Sequence, residues 1–153
     1  MRIVRRLRST SFRTFVLYPL IVVAWEWLLR GSGVVIRLPY VPLMVWGYLQ
    51  YRFCGNYRIR HGGGGPGMET SPERLVTTGP FAWCRNPMYL GHIVFLVGLA
   101  LTLRSLFAAA IAAATAVWLQ FRVRGDEIRL RDRFGHPYDE YVARVRRWIP
   151  GVF

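Results

Sequence analysis

Arg85, Asn86 and Pro87 stand directly before an apolar run of more than a dozen residues, in the stretch FAWCRNPMYLG. A proline in the first helical turn sets helix entry, and an asparagine just before it is a good N-cap. Read that way, the triplet only starts a helix, and Arg85 snorkels to lipid headgroups. The other reading joins a cation to the free N–H groups of a helix N-terminus, which makes a site for an anion such as a carboxylate. Complementary charges come later. Arg122, Asp126 and Glu127 follow the last apolar run. Arg122 and Asp126 are four apart, on one helical face. They form either a surface ion pair worth under about 1 kcal/mol or a site holding both signs where a helix leaves a bilayer.

Other reactive side chains have plainer readings. Glu26 can pair with Arg30 one turn on, which is structural. His136 sits in a Gly-His-Pro turn and reads as a turn residue. His61 and His92 show no metal-ligand spacing. Cys54 and Cys84 are too few for a disulfide framework or a zinc site. Tyr138, Tyr141 and Trp148, among arginines, suit an interfacial amphipathic piece and are also able to wall an adenine ring.

These residues hang on four apolar segments, about Thr14–Leu29, Leu38–Phe53, Pro87–Leu103 and Ser105–Phe121. Each rises about 25 Å as a helix, somewhat less than a typical span, which amphipathic flanks or local thinning make up. A soluble four-helix bundle would carry a polar stripe on each helix; the third and fourth segments carry none. The expected fold is therefore all-α and polytopic, one domain over residues 1–153, with four transmembrane helices. Arg104 alone separates the third and fourth, which demands a tight hairpin packed through Gly91, Gly98 and the alanines 108–110 and 112–114.

Arginine counting sets the orientation. With the N-terminus inside, 18 arginines are cytoplasmic, and only Arg30, Arg37 and Arg104 lie outside. Both termini are then cytoplasmic, in a bacterial-type inner membrane. No small-x-small cleavage site follows the first segment, so it reads as an uncleaved anchor. Two cytoplasmic pieces remain. One is a loop whose GGGGPG is a flexible linker by composition. The other is a C-terminal tail that starts helical, breaks at Gly135 and Pro137, restarts, and stops before Pro150.

Composition agrees with a membrane class: 53% hydrophobic, 15% aromatic, mean hydropathy +0.22. The net charge of +13 comes from 21 arginines and no lysine. Those arginines flank apolar stretches and form no single stripe, which argues for membrane lipids as partners and against nucleic acid.

The stretch LVTTGPFAWCRNPMYLG, two tightly linked apolar helices, then DEIRLRDRFGHPYDEY and a terminal RRWIP resembles the isoprenylcysteine carboxyl methyltransferase family and the related phosphatidylethanolamine N-methyltransferases. The resemblance covers Glu73 to Pro150. It implies an integral membrane enzyme that uses S-adenosylmethionine. It implies that Glu73, Arg74, Leu75 and Val76, then Phe81, then Asn86, Pro87, Met88 and Tyr89 line the cofactor site, with Arg85 at the helix mouth. By the same carry-over, Asp126 contacts the cofactor and Arg122 faces the methyl acceptor. Glu127 is the nearest base if that acceptor is an amine. The sequence departs from the family pattern at three places: Phe81 stands for tyrosine, Asn86 for histidine and Asp126 for glutamate. The acceptor is expected to be lipid-like and to arrive from the bilayer, with its polar head at the cytoplasmic face. A small non-catalytic membrane protein and a membrane reductase of similar architecture are the other readings. No metal is expected.

Overall fold

The computed structural model describes residues 9–31, 33–65 and 70–148. The basic segment 1–8, Pro66 and Gly67 of the glycine-rich stretch, and the terminal Ile149 and Pro150 lie outside the described residues. Helices dominate, and no strand occurs among the described residues. They are α1 (Thr10–Arg30), α2 (Val41–Gly62), α3 (Pro87–Leu103), α4 (Leu106–Phe134) and α5 (His136–Arg144). Short tight turns of helix precede α2 at Leu38–Tyr40 and α3 at Gly79–Ala82. By length and composition, α1 and α4 are able to cross a membrane, and α3 is a shorter apolar helix of 17 residues.

Two helices outrun the apolar segments that mark them. α2 continues past Phe53 to Gly62, so Arg58 and Arg60 sit on a helix and not on the loop where the hydropathy pattern puts them. The sequence YRFCGNYRIRH has no proline and only one glycine, so nothing in it stops the helix that Val41 begins. α4 likewise runs without interruption from the apolar run into the charged stretch, 29 residues in all, or about 44 Å. It stops at Gly135, whose φ of +57° is a conformation that costs glycine nothing and other residues a steric clash. Inside α1, the turn widens at Arg13–Leu17. Pro19 follows immediately; it has no N–H to give, and its ring crowds the carbonyl four residues back, which such a widened turn relieves.

The chain forms two compact units, Met1–Leu49 with Gly91–Ala116, and Gln50–Leu90 with Val117–Phe153. In the first, Val22, Phe95, Leu96, Leu99, Leu103, Ala108 and Ala112 make a buried apolar cluster, with Phe15 and Met44 against it. Phe15 is its aromatic hub, 4.9 Å from the Phe95 ring and 4.7 Å from the His92 ring. Gly98 has the role of a contact residue, but toward α2: a Cβ there would lie 2.8 Å from the Met44 nitrogen. Of the alanines expected to pack α4, only Ala108 and Ala112 are buried; Ala109, Ala110, Ala113 and Ala114 are exposed.

α3 and α4 are joined through Arg104 and Ser105. Arg104 takes a left-handed φ of +47°, and Ser105 Oγ accepts the Ala108 N–H at 3.0 Å, an N-cap for α4. Buried Glu26 pairs with Arg30, its Oε2 2.9 Å from the Arg30 Nε, the local partner that the spacing offers. The second unit carries the charged motifs.

Candidate functional site

α3 begins at Pro87, and its first turn brings Met88 and Tyr89 inward. At the helix mouth, Arg85 is engaged by other parts of the chain. Its guanidinium donates through Nη1 to the Val142 and Val145 carbonyls, both at 3.1 Å, and its Nη2 lies 3.0 Å from Glu127 Oε1. The two carbonyls come from the end of α5, where a helix leaves acceptors unpaired. Arg85 therefore caps the C-terminus of another helix. Its Nε is buried with no hydrogen-bond partner among the described residues.

The neighbours of Arg85 do the same work. The Arg85 N–H donates to the Arg146 carbonyl at 2.9 Å. Asn86 Nδ2 and Cys84 Sγ both donate to the Arg147 carbonyl, at 3.2 and 3.4 Å. Arg147 in turn grips Glu127 with two parallel bonds, 3.0 and 2.6 Å, the bidentate form that fixes geometry as well as charge. The carboxylate expected as a base thus anchors two arginines. Tyr141 Oη donates to the Phe81 carbonyl at 2.7 Å, and Trp148 Nε1 to Gln120 Oε1, also at 2.7 Å. Residues 141–148 are stitched down through backbone carbonyls and side chains alike.

Beside this latch lies a cleft of about 800 Å³, counting its solvent-filled mouth. Of the residues expected in a site, Leu75, Val76, Phe81, Arg85, Asn86, Pro87, Met88, Tyr89, Asp126 and Glu127 line it. Glu73 and Arg74 do not. Both are exposed, and their N–H groups bond the Gly62 carbonyl at 2.8 Å, so their part is to fix the strand of chain that carries Leu75 and Val76. Arg122 is also outside the lining. Its Nε donates to Tyr89 Oη at 3.1 Å, and the same hydroxyl donates to Asp126. Arg129 pairs with Asp126 as well.

Several lining residues carried no functional reading in the sequence. Arg58, Thr70, Ser71 and Pro72 form one side. Arg58 is nearly buried, and donates to the Gly65 carbonyl at 3.1 Å and the Thr70 carbonyl at 2.9 Å. Within the glycine-rich stretch expected as a flexible linker, Arg58 therefore holds the Gly65 carbonyl. The only available signal was an arginine one turn before HGGGG. Tyr138 and Tyr141 are buried and line the cleft, the position that their reading as the wall of a pocket requires. Burial, helped by Glu127, pushes the Tyr138 phenol up to about 12. Burial likewise raises Tyr141, and it raises the Cys84 thiol against the opposing pull of the Asn86 N–H and Arg85. All three stay neutral at physiological pH. No cluster of His, Cys, Asp and Glu able to hold a metal exists among the described residues.

The cleft suits a ligand that is both zwitterionic and aromatic. Asp126 and Arg85 bring both charge signs to its lining, and Phe81, Tyr138 and Tyr141 bring aromatic rings. Residues 62–136 match the family described as Phospholipid methyltransferase. The chain is 38% identical over 86 residues to protein-S-isoprenylcysteine O-methyltransferase of Mus musculus, covering 55% of this chain and 30% of that protein. It is 37% identical over 82 residues to protein-S-isoprenylcysteine O-methyltransferase B of Arabidopsis thaliana, covering 52% and 41%. It is 36% identical over 76 residues to the nickel-cobalt-cadmium resistance protein NccN of Alcaligenes xylosoxydans xylosoxydans, covering 50% and 36%. The chain thus spans well under half the length of these relatives. No solved structure matches it.

Proposed function

Because the chain belongs to the superfamily that joins isoprenylcysteine carboxyl methyltransferases with phospholipid methyltransferases, we propose that it transfers a methyl group from S-adenosylmethionine to a lipophilic acceptor at the cytoplasmic face of a membrane. One observation carries the reading. Residues from both motifs, Phe81 to Tyr89 and Asp126 to Leu130, line one cleft with aromatic walls and both charge signs, and Arg122 reaches that cleft through Tyr89.

In this reading Asp126 and the Arg85 Nε meet the amino-acid end of the cofactor, and Phe81, Tyr138 and Tyr141 enclose its base. The cofactor supplies an electrophilic methyl group on a sulfonium. The chain's own work is to hold two reactants in line and keep water out. Arg122 grips the acceptor head, a carboxylate or phosphate-like anion. Glu127 serves as a brace for Arg85 and Arg147. An acceptor that arrives as a carboxylate needs no base, which favours the isoprenylcysteine-like head over an amine.

Four membrane spans, α1 to α4, belong to the same proposal, with both termini cytoplasmic. The arginine distribution supports them; reporter fusions at Phe153 and near Arg104 on opposite sides of the membrane are the expected outcome.

The experiment that tests the activity is incubation of the detergent-solubilised protein with labelled S-adenosylmethionine and a membrane lipid extract, followed by mass spectrometry. A methylated lipophilic product is expected. Binding of a nicotinamide cofactor would return the reductase reading, and binding of neither would leave a non-catalytic membrane protein.

A further inference from the structure

Tyr89 sits where the two charged motifs meet. It lies in the first turn of α3 and is 6% exposed. Its phenol oxygen makes two hydrogen bonds at once, donating to Asp126 Oδ2 and accepting the Nε–H of Arg122 at 3.1 Å. The direction of both is fixed by chemistry. A guanidinium only donates and a carboxylate only accepts, while a phenol has one proton to give and lone pairs to receive. Tyr89 is thus a neutral link between a cation and an anion that stand one turn apart on α4.

The atom that Tyr89 takes from Arg122 matters. Arginine reads a carboxylate or phosphate through two parallel N–H groups. Holding Nε fixes how the guanidinium is turned about its own plane. The Arg122 Cζ also lies 5.6 Å from the centroid of the Trp118 ring, so the guanidinium plane is steered by a hydroxyl and a ring together. On the other branch, Asp126 is shorter by one methylene than the glutamate of the family pattern. The Tyr89 hydroxyl reaches to it, and Arg129 engages its other oxygen.

We infer that Tyr89 is a positioning residue that couples the acceptor-side Arg122 to the cofactor-side Asp126, and that it does not itself grip the cofactor. The inference rests on the methyltransferase reading for what the two charges hold. The bridge itself rests on the two hydrogen bonds.

Double-mutant cycles test it, because a residue acting through another loses its effect when that other is gone. The proteins are wild type, Y89F, D126A, R122A, and Y89F combined with each. Calorimetric titration with S-adenosylmethionine is expected to show Y89F weakening affinity about tenfold, and adding nothing once Asp126 is alanine. Turnover of N-acetyl-S-farnesylcysteine, or of phosphatidylethanolamine in mixed micelles, is expected to show Y89F raising the acceptor KM, and adding nothing once Arg122 is alanine. A Y89F effect that persists undiminished in both backgrounds would mean direct contact with a ligand and would overturn the inference. Wild-type affinity and turnover in Y89F would overturn it too.

Melting temperatures of the same six proteins in detergent, without ligand, supply an arm independent of activity. Non-additive shifts in the Y89F/D126A and Y89F/R122A cycles support the bridge, and additive shifts overturn it. A wild type that binds no S-adenosylmethionine would defeat the proposed function, while the melting cycles still decide the bridge.

Discussion

In the unit of residues 1–49 and 91–116, Leu96, Leu99 and Val22 fill space against Phe15 and Ala112. Its one buried acid, Glu26, is answered by Arg30 on the next turn. In the unit of residues 50–90 and 117–153, arginines reach backbone carbonyls elsewhere in the chain: Arg58 to Gly65 and Thr70, Arg85 to Val142 and Val145. The first kind of cohesion is non-directional and tolerates exchange among apolar residues of similar volume. The second is directional, and each donor has a specific place to be. A unit built the first way can hold elements apart or together. A unit built the second way can also present a cleft whose polar groups have fixed positions, and the cleft is indeed lined by that unit alone.

The largest expected effect that sharpens this contrast is catalytic. Arg122→Ala should lower methyl transfer by about a hundredfold or more, in the range seen when one charge-stabilising group is removed from a site. Cofactor affinity should change far less, because Arg122 is outside the cleft lining. Calorimetry beside product mass spectrometry separates the two; a matching fall in affinity would move Arg122 into the cofactor site.

Next comes Arg85→Ala. It leaves Glu127 to Arg147 alone and strands the carbonyls at the end of α5, and each acceptor left unsatisfied costs about 1–3 kcal/mol. Melting in detergent should fall, and residues 136–148 should become the first point of protease cleavage. Arg85→Lys should recover only part of the loss, since an ammonium cannot serve two carbonyls and a carboxylate in one plane. A purely global loss of stability, with no selective cleavage, would argue against the latch.

Leu96→Ala probes the other unit. Leu96 is fully buried, and its truncation should cost about 2–4 kcal/mol through lost contacts and a cavity. The contrast demands that folded protein keep wild-type cofactor affinity. The smallest effect belongs to Arg131→Ala. Its partner Asp139, at 2.7 Å across the Gly135 break, is half exposed like Arg131 itself, so the melting temperature should not move measurably.

Much of this was legible in the sequence. Pro87 and the unbroken apolar run after it define α3 at both ends, and Gly135 marks the end of α4. Phe81, Met88, Tyr89 and Asp126, named from the motifs, line one cleft. What the sequence hid has a common physical cause. The partners of Arg85, Asn86 and Cys84 are backbone carbonyls of residues about 60 positions later, and a carbonyl has no letter in the sequence. Arg85 was therefore read as facing an anion or a lipid. Arg58 escaped notice for the same reason. The extension of α2 to Gly62 was missed because hydropathy marks where a helix is apolar, and the helix continues wherever no breaker stops it.

The latch is asymmetric in a way that bears on how the protein tolerates mutation. On one side the donors are the side chains of Arg85, Asn86 and Cys84, and on the other the acceptors at Val142, Val145 and Arg147 are peptide oxygens that every amino acid possesses. A saturation library should therefore find the donor side strict. Val142 and Val145 should accept most replacements that leave the chain path intact. Proline, which alters that path, should be the exception. The closing segment is free to drift in sequence while its fastening stays the same, so its outer face can be remade for a new neighbour without loosening the cleft it covers.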